Sequence, residues 1–504
     1  MTKKLIYILP LLLLLLSCGR EKTPVYVPNP VIELSFKSFH EDGVILEVKS
    51  LNTDAIHVLV LPLGAEKPSV EQICNEGKPA EEEDVFIGGL ESDTDYAAYA
   101  VGSLKDRYSK ISECLFTTPF RSTERTEIPV FADLDLIPGG ITNKTPNTWN
   151  EDRIKPHVIF TDENGQEQWL HEAFLLIGGE DAKRDMILSI DSGGRRSGTQ
   201  EAWTDFADYW LKDGGVVDVL DQTITNAKTR IGRPSFRHKV VITMPDPIML
   251  EYFTDKGSST TYWGSVHDRT LDFQNTADQV LAYQWYINYV IEQWEKLTPQ
   301  NVELAGFYIL SEILVAKPSG WNYKYKRWDK ILPPVASYLH EMKYGLYWIP
   351  YYQADGYDMT EELGIDYTWI QPNKYWDYPE KEQKKSWSWV FSTMNTYGHG
   401  MEIEFEGSHG EAGWSQWEEG VARTSSSILE TVRTNNDAQG TAKGKPNPQA
   451  ARNKQLLRDY MEEFKKAGHY GKSRIATYSG TNAMYELATS PDEKDREMYL
   501  EYCR

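Results

Sequence analysis

The stretch ELAGFYILSE, Glu303–Glu312, runs without charge from Leu304 to Ser311 and then closes on a carboxylate. A strand with that pattern is buried on both faces, as in a parallel sheet covered by helices. Runs of similar length recur as AFLLIGG from Ala173, KVVITMPDP from Lys239, GLYWIPYYQ from Gly345, DYTWIQPN from Asp366, GMEIEFEG from Gly400 and RIATYSG from Arg474. Either IPVFADLDLIPGG near Ile128 or MILSIDSGG near Met186 supplies one more. Between them lie amphipathic stretches of helical length at Thr204–Leu211, Ala277–Lys296, Tyr325–Met342, Ser415–Arg433 and Gln449–Ala467. Seven or eight such units predict a (β/α)8 TIM-like barrel over residues 128–504 in preference to a doubly wound sheet. No glycine fingerprint of a dinucleotide or phosphate site is present.

Upstream the pattern differs. From residue 30 to residue 120 there are six short β-type runs, VIELSF, GVILEVKS, AIHVLVLPL, DVFIGGL, YAAYAVGS and ECLFTTP, separated by turn residues. They predict a small all-β sandwich, joined to the barrel by the polar connector 121–127. The segment GLESDTDYAAYAVGS, with Leu90, Thr94, Tyr96 and Tyr99, resembles the late strand and preceding turn of fibronectin type III domains. Modules of that kind are spacers or docking platforms, and no catalytic constellation lies in this one.

The chain opens MTKKLIYILPLLLLLLSCGR: Lys3 and Lys4 precede an apolar run too short for a comfortable membrane span. Leu15, Leu16, Ser17 and Cys18 resemble the lipobox of bacterial lipoproteins, which implies cleavage before Cys18 and acylation of its sulfur. Residues 1–18 are then a signal peptide and 19–29 a proline-containing tether. The expected location is the cell envelope, lipid-anchored at the outer membrane, on a face the sequence leaves open. The formal net charge of −22 opposes nucleic-acid phosphates and excludes a nucleic-acid partner. Of the four cysteines, Cys74 and Cys114 share the N-terminal module and are the pair able to bridge there, while Cys503 sits at the chain end. None has metal-site spacing.

In a (β/α)8 barrel, functional groups gather at the C-terminal strand ends. Glu312 closes one such end. In GMEIEFEG, Met401, Ile403 and Phe405 would pack against the helix layer, turning Glu402, Glu404 and Glu406 into the lumen. Burying three carboxylates is costly unless they are hydrogen-bonded or chemically employed. The competing readings are a half-exposed strand whose polar face happens to be Glu, and a loop cap at Glu312. Other strand ends add Gln353 and Asp355, then Gln371, Asn373, Tyr375 and Trp376, a set of hydrogen-bonding groups and flat apolar faces. Asp191, Arg195, Arg196 and Asp246 are further candidates for the same rim.

Two carboxyl groups in an aromatic, hydrogen-bonding cleft are what glycosidic bond cleavage requires. The C-terminal module looks like TIM-barrel glycoside hydrolases. In their large retaining clan, the acid/base Glu and the nucleophile Glu close strands three apart, an offset that Glu312 and the Glu404 region share. That clan has Asn before its acid, whereas Ser311 precedes Glu312 here. Together, ADLDLIPGG, GFYILSE and IDYTWIQPN are similar to a lipoprotein family of Bacteroidota, domain of unknown function 4855, which implies a barrel and a glycan-related context.

The resulting expectation is a glycoside hydrolase acting on an oligo- or polysaccharide, with Glu312 as acid/base and Glu404 as nucleophile or base. Glu406 and Glu402 are alternates, and no cofactor or metal is expected. A non-catalytic glycan-binding lipoprotein using the same cleft is the alternative. A third reading takes His399, Glu402, Glu404, His409 and Glu411 as cation ligands, although their spacing matches no established metal site.

Overall fold

The computed structural model describes residues 29–40, 43–92, 94–119, 125–139, 141–142, 145–146, 149–181, 186–190, 196–234, 236–253, 255–266, 268–315, 327–374, 386–404, 450–480, 483–490 and 492–504. The chain divides into two compact units, one built mainly on the N-terminal strands and one holding the whole barrel.

The N-terminal strands form two sheets. Val31–His40, Gly43–Leu51 and Asp84–Gly88 make one, and the second is built around Ala55–Pro62 and Asp95–Leu104, with Ser112–Thr117 also paired to the latter. All six runs read from the sequence are strands. Tyr96 receives a hydrogen bond on its hydroxyl from the Glu91 backbone N–H at 3.0 Å, a tyrosine corner of the kind sandwiches use. Among the described residues no disulfide joins Cys74, Cys114 or Cys503, so the pairing that the sequence left open between the first two is not made. The fold offers a reason: Cys114 is buried within a strand, and Cys74 lies in the helix Val70–Glu76.

The second unit is a closed barrel of eight parallel strands. In chain order these are β1 (Asp133–Pro138), β2 (Ala173–Ile177), β3 (His238–Met244), β4 (Val302–Ile309), β5 (Gly345–Trp348), β6 (Tyr367–Ile370), β7 (Gly400–Glu404) and β8 (Ile475–Tyr478). Closure comes from β8 pairing with β1, with Thr477 opposite Asp135. IPVFADLDLIPGG therefore supplies β1, whereas Ile187 of MILSIDSGG forms only isolated bridges. The helices are α1 (Glu151–Val158), α2 (Gln200–Leu211), α3 (Val216–Ile231), α4 (Thr276–Leu297), α5 (Trp328–Glu341), α6 (Trp387–Tyr397), α7 (Ala450–Lys466), α8 (Ala483–Thr489) and α9 (Glu493–Cys503). The expected Ser415–Arg433 helix lies outside the described residues. Between β5 and β6 the chain returns through turns alone. Among the described residues no helix is long and apolar enough to cross a membrane.

The strand β7 shows how the pattern sets the wall. Gly398, at φ 73°, ends α6 in the left-handed conformation that glycine adopts without steric cost. Two residues later the strand starts, and all five of its residues are buried. Met401 and Ile403 join an apolar cluster with Ile370 of β6, Val390 and Met394 of α6, and Leu457 and Phe464 of α7. Each such side chain contributes roughly 1.5–3 kcal/mol on burial. Their placement leaves Gly400, Glu402 and Glu404 facing the lumen. Below the glutamates, Phe131, Tyr347 and Trp369 fill the interior, with Phe131 5.3 Å from Tyr347 and 6.1 Å from Trp369 between ring centroids. Gly400 is opposite Trp369 in register, and a Cβ there would stand 2.5 Å from the indole Cδ1. Glycine at this position lets the ring occupy the lumen.

Candidate active site at the barrel mouth

The cluster is built from two strands three apart. Beyond β4, Ser311 offers its carbonyl to the Trp348 indole N–H at 2.7 Å, and its hydroxyl donates to Ile313 O at 2.9 Å. The Leu314 amide then donates to Asp355 O at 2.9 Å. These bonds fix the segment that carries Glu312, which is half-buried. Gln371 lies one residue past β6 and continues its register through a bridge to Tyr351. Its side-chain amide donates to Glu312 Oε1 at 3.1 Å and to Ile349 O at 3.3 Å.

On β7, Glu402 is 2% and Glu404 3% exposed. Burial holds the Glu402 carboxyl well above the usual carboxylate range, and the neighbouring charges of Glu404 and then Glu312 raise it further. Three carboxyls thus share one field, and that field favours the protonated form of Glu402. Glu404 accepts a hydrogen bond from the Tyr460 hydroxyl of α7. That phenol is itself buried and pushed far up, by burial first and then by the charge of Glu404. It accepts from the Lys374 backbone N–H at 3.0 Å. The Lys374 ammonium lies 5.0 Å from the Trp387 ring centroid, and Trp387 meets Tyr460 edge-on at 5.1 Å.

The expected residues therefore separate. Glu312, Gln371, Glu402 and Glu404 come together, whereas Glu406, Tyr375 and Trp376 lie outside the described residues. Asn373, at φ 54°, shapes the turn leading to Lys374. Gln353 and Asp355 are exposed on the turn after β5, and among the described residues neither side chain bonds to the carboxylates. Two rim candidates have recorded contacts elsewhere than the carboxyls. Asp246 is buried and braces a loop by accepting the Ile190 N–H at 2.8 Å, and Arg196 is exposed in an ion pair with Glu251 at 3.1 Å. Asp191 and Arg195 lie outside the described residues. His399 engages the Tyr357 carbonyl at 2.8 Å through Nε2, and burial lowers its pKa. His409 and Glu411 are not described.

Tyr460 is the participant that sequence reasoning missed. Its spacing with Leu457 and Phe464 marks a buried helix face, and nothing in that pattern separates a hydroxyl at a carboxylate from another core ring. Glu402, an alternate in the sequence reading, has its pKa raised by burial and then by the charges of Glu404 and Glu312.

Fold and site define a (β/α)8 barrel protein with a buried carboxyl cluster at the C-terminal strand ends. More particularly, the chain belongs to the family described as Domain of unknown function (DUF4855), which matches residues 133–427. No curated protein matches the chain. Among solved structures, the Ruminococcus gnavus β-glucuronidase is 8% identical, with 90% of this chain and 62% of that chain covered and a TM-score of 0.30. Chitinase ChiW from a Paenibacillus species is 11% identical, with coverages of 94% and 42% and a TM-score of 0.31. The fn3 domain of human collagen alpha-1(XX) chain is 17% identical and wholly covered, over 21% of this chain, at a TM-score of 0.16. The chain spans less than two thirds of the length of the two enzymes. At these scores the likenesses carry no argument about chemistry.

Proposed function

We propose that the protein cleaves a glycosidic bond in an oligo- or polysaccharide. Glu312 is the acid/base that protonates the departing oxygen, and Glu404 attacks the anomeric carbon or activates water. The observation that supports this reading is the meeting of Glu312, Glu402 and Glu404 from the ends of β4 and β7, with Gln371 bonded to Glu312. A site that only binds glycan needs no buried carboxyl whose pKa is raised by two others beside it. Glu406 stays as the alternate to Glu404. The same proposal places the protein in the cell envelope through a lipid on Cys18.

The test is a screen of the purified full chain against host, plant and microbial glycans for released sugar. Glu312→Gln and Glu404→Gln should each abolish release while leaving glycan binding nearly intact. Normal cleavage by both variants would assign the chemistry to other residues.

A further inference from the structure

The turn that follows β6 addresses both sides of the carboxyl cluster. Gln371 bonds to Glu312 through the side chain, and Lys374, three residues on, bonds to Tyr460 through the backbone. Asn373 between them adopts φ 54°, a left-handed conformation that asparagine tolerates better than most residues.

The direction of the second bond has a chemical consequence. A backbone N–H can only donate, so Lys374 occupies a lone pair on the Tyr460 hydroxyl. Tyr460 is fully buried, and the acceptor facing its single proton among the described residues is Glu404 Oε2. A buried hydroxyl proton without an acceptor would be costly, so the phenol donates and the carboxyl accepts. Accepting such a bond favours the charged form of a carboxyl.

We infer that Tyr460 is a positioning residue which, oriented by the Lys374 amide, donates its hydroxyl proton to Glu404 and so favours the ionised form of that carboxyl. Among the described residues, the charged or titratable groups recorded around this bond are Glu402 on its own strand, Glu312 beyond β4, Lys374 beyond β6, and Tyr478, which pairs with Glu404 on β8. The inference specifies how the proposed hydrolytic site divides its protons, so it rests on that reading for its catalytic meaning. Its structural content stands separately.

The test follows the infrared band of protonated carboxyls in the full chain in D2O, from acid to mildly alkaline pH. Wild type should show a buried protonated carboxyl at neutral pH that Glu402→Gln removes. In Tyr460→Phe a second carboxyl should retain its proton to a pH about one to two units higher than in wild type. On a glycan that wild type cleaves, the same variant should lose about ten- to a hundredfold in kcat with KM little changed. The acid limb of its pH–rate profile should move upward. If Tyr460→Phe does not fold, protein made with fluorotyrosine, a stronger phenol donor, must move the carboxyl titration the other way. An unchanged titration in a folded Tyr460→Phe protein overturns the inference, whatever the activity. A shifted titration in a protein that cleaves no glycan upholds it and refutes the hydrolase reading.

Discussion

Gln371 donates its side-chain amide to Glu312 across 3.1 Å, although 59 residues separate the two in the chain. The bond spans the ends of two barrel strands, β4 and β6, with β5 between them. Gln371→Ala should therefore loosen Glu312 without damaging the fold. The expected outcome is a drop of about tenfold in kcat, the scale of one hydrogen bond of about 1.4 kcal/mol. Thermal melting should stay within a few degrees of wild type. Steady-state kinetics beside a melting curve check both halves.

Glu402 makes stability depend on pH in the direction opposite to most carboxyls. Its folded pKa lies above its unfolded one, so over the window between them the folded state holds a proton that the unfolded state has lost. Stability from this group is fully present below the unfolded value near 4.5 and falls as pH rises, by about 1.4 kcal/mol per unit. Glu402→Gln keeps a neutral, hydrogen-bonding side chain and removes that slope. Urea unfolding at mildly acid and mildly alkaline pH should show the variant gaining on wild type as pH rises.

His238 gives the complementary slope. It is fully buried at the start of β3, with neither ring nitrogen finding a hydrogen-bond partner among the described residues, between Trp169, Phe174 and Phe236. Burial lowers its pKa from 6.5 to about 3, with lesser contributions from Lys228, Lys239 and His171. The unfolded chain takes up the proton first, so stability is lost as pH falls from 6.5 toward 3. The full loss is on the order of 5 kcal/mol. His238→Phe should flatten this acid limb, read as a smaller drop in unfolding free energy between neutral pH and pH ~4 than wild type shows.

Gly400 tests the lumen packing. A methyl group there would meet Arg474 O at 2.4 Å and the Trp369 indole at 2.5 Å. The first obstacle is backbone and cannot rotate away. Gly400→Ala should destabilise the barrel by roughly 1–3 kcal/mol, and by more if the indole is displaced. A melting temperature equal to that of wild type would contradict the described interior.

The architecture was largely legible before the structure, because strand-length apolar runs recur at the spacing of β/α units. Each of the seven firmly read runs is a barrel strand, and the choice between the two candidates for the eighth needed the pairing of Asp133–Pro138 with β2 and β8. The helices were less legible. The stretches at Val216–Ile231, Trp387–Tyr397 and Glu493–Cys503 went unread, and the last two have weak amphipathic patterns. In a barrel, helices that pack against neighbours on several sides bury residues all around, which blurs the period.

Alternation along GMEIEFEG sufficed to turn Glu402 and Glu404 inward once a barrel was assumed, since adjacent strand residues must face opposite sides. Glu312 was marked by closing an apolar run. What only the tertiary structure decided is which groups complete the cluster. Tyr460 reaches Glu404 from a helix 56 residues away, and the raised pKa of Glu402 depends on burial and then on two other carboxyls. Local pattern records which side of a strand a residue faces. It does not record the distance between side chains from different strands, and carboxyl electrostatics depend on that distance.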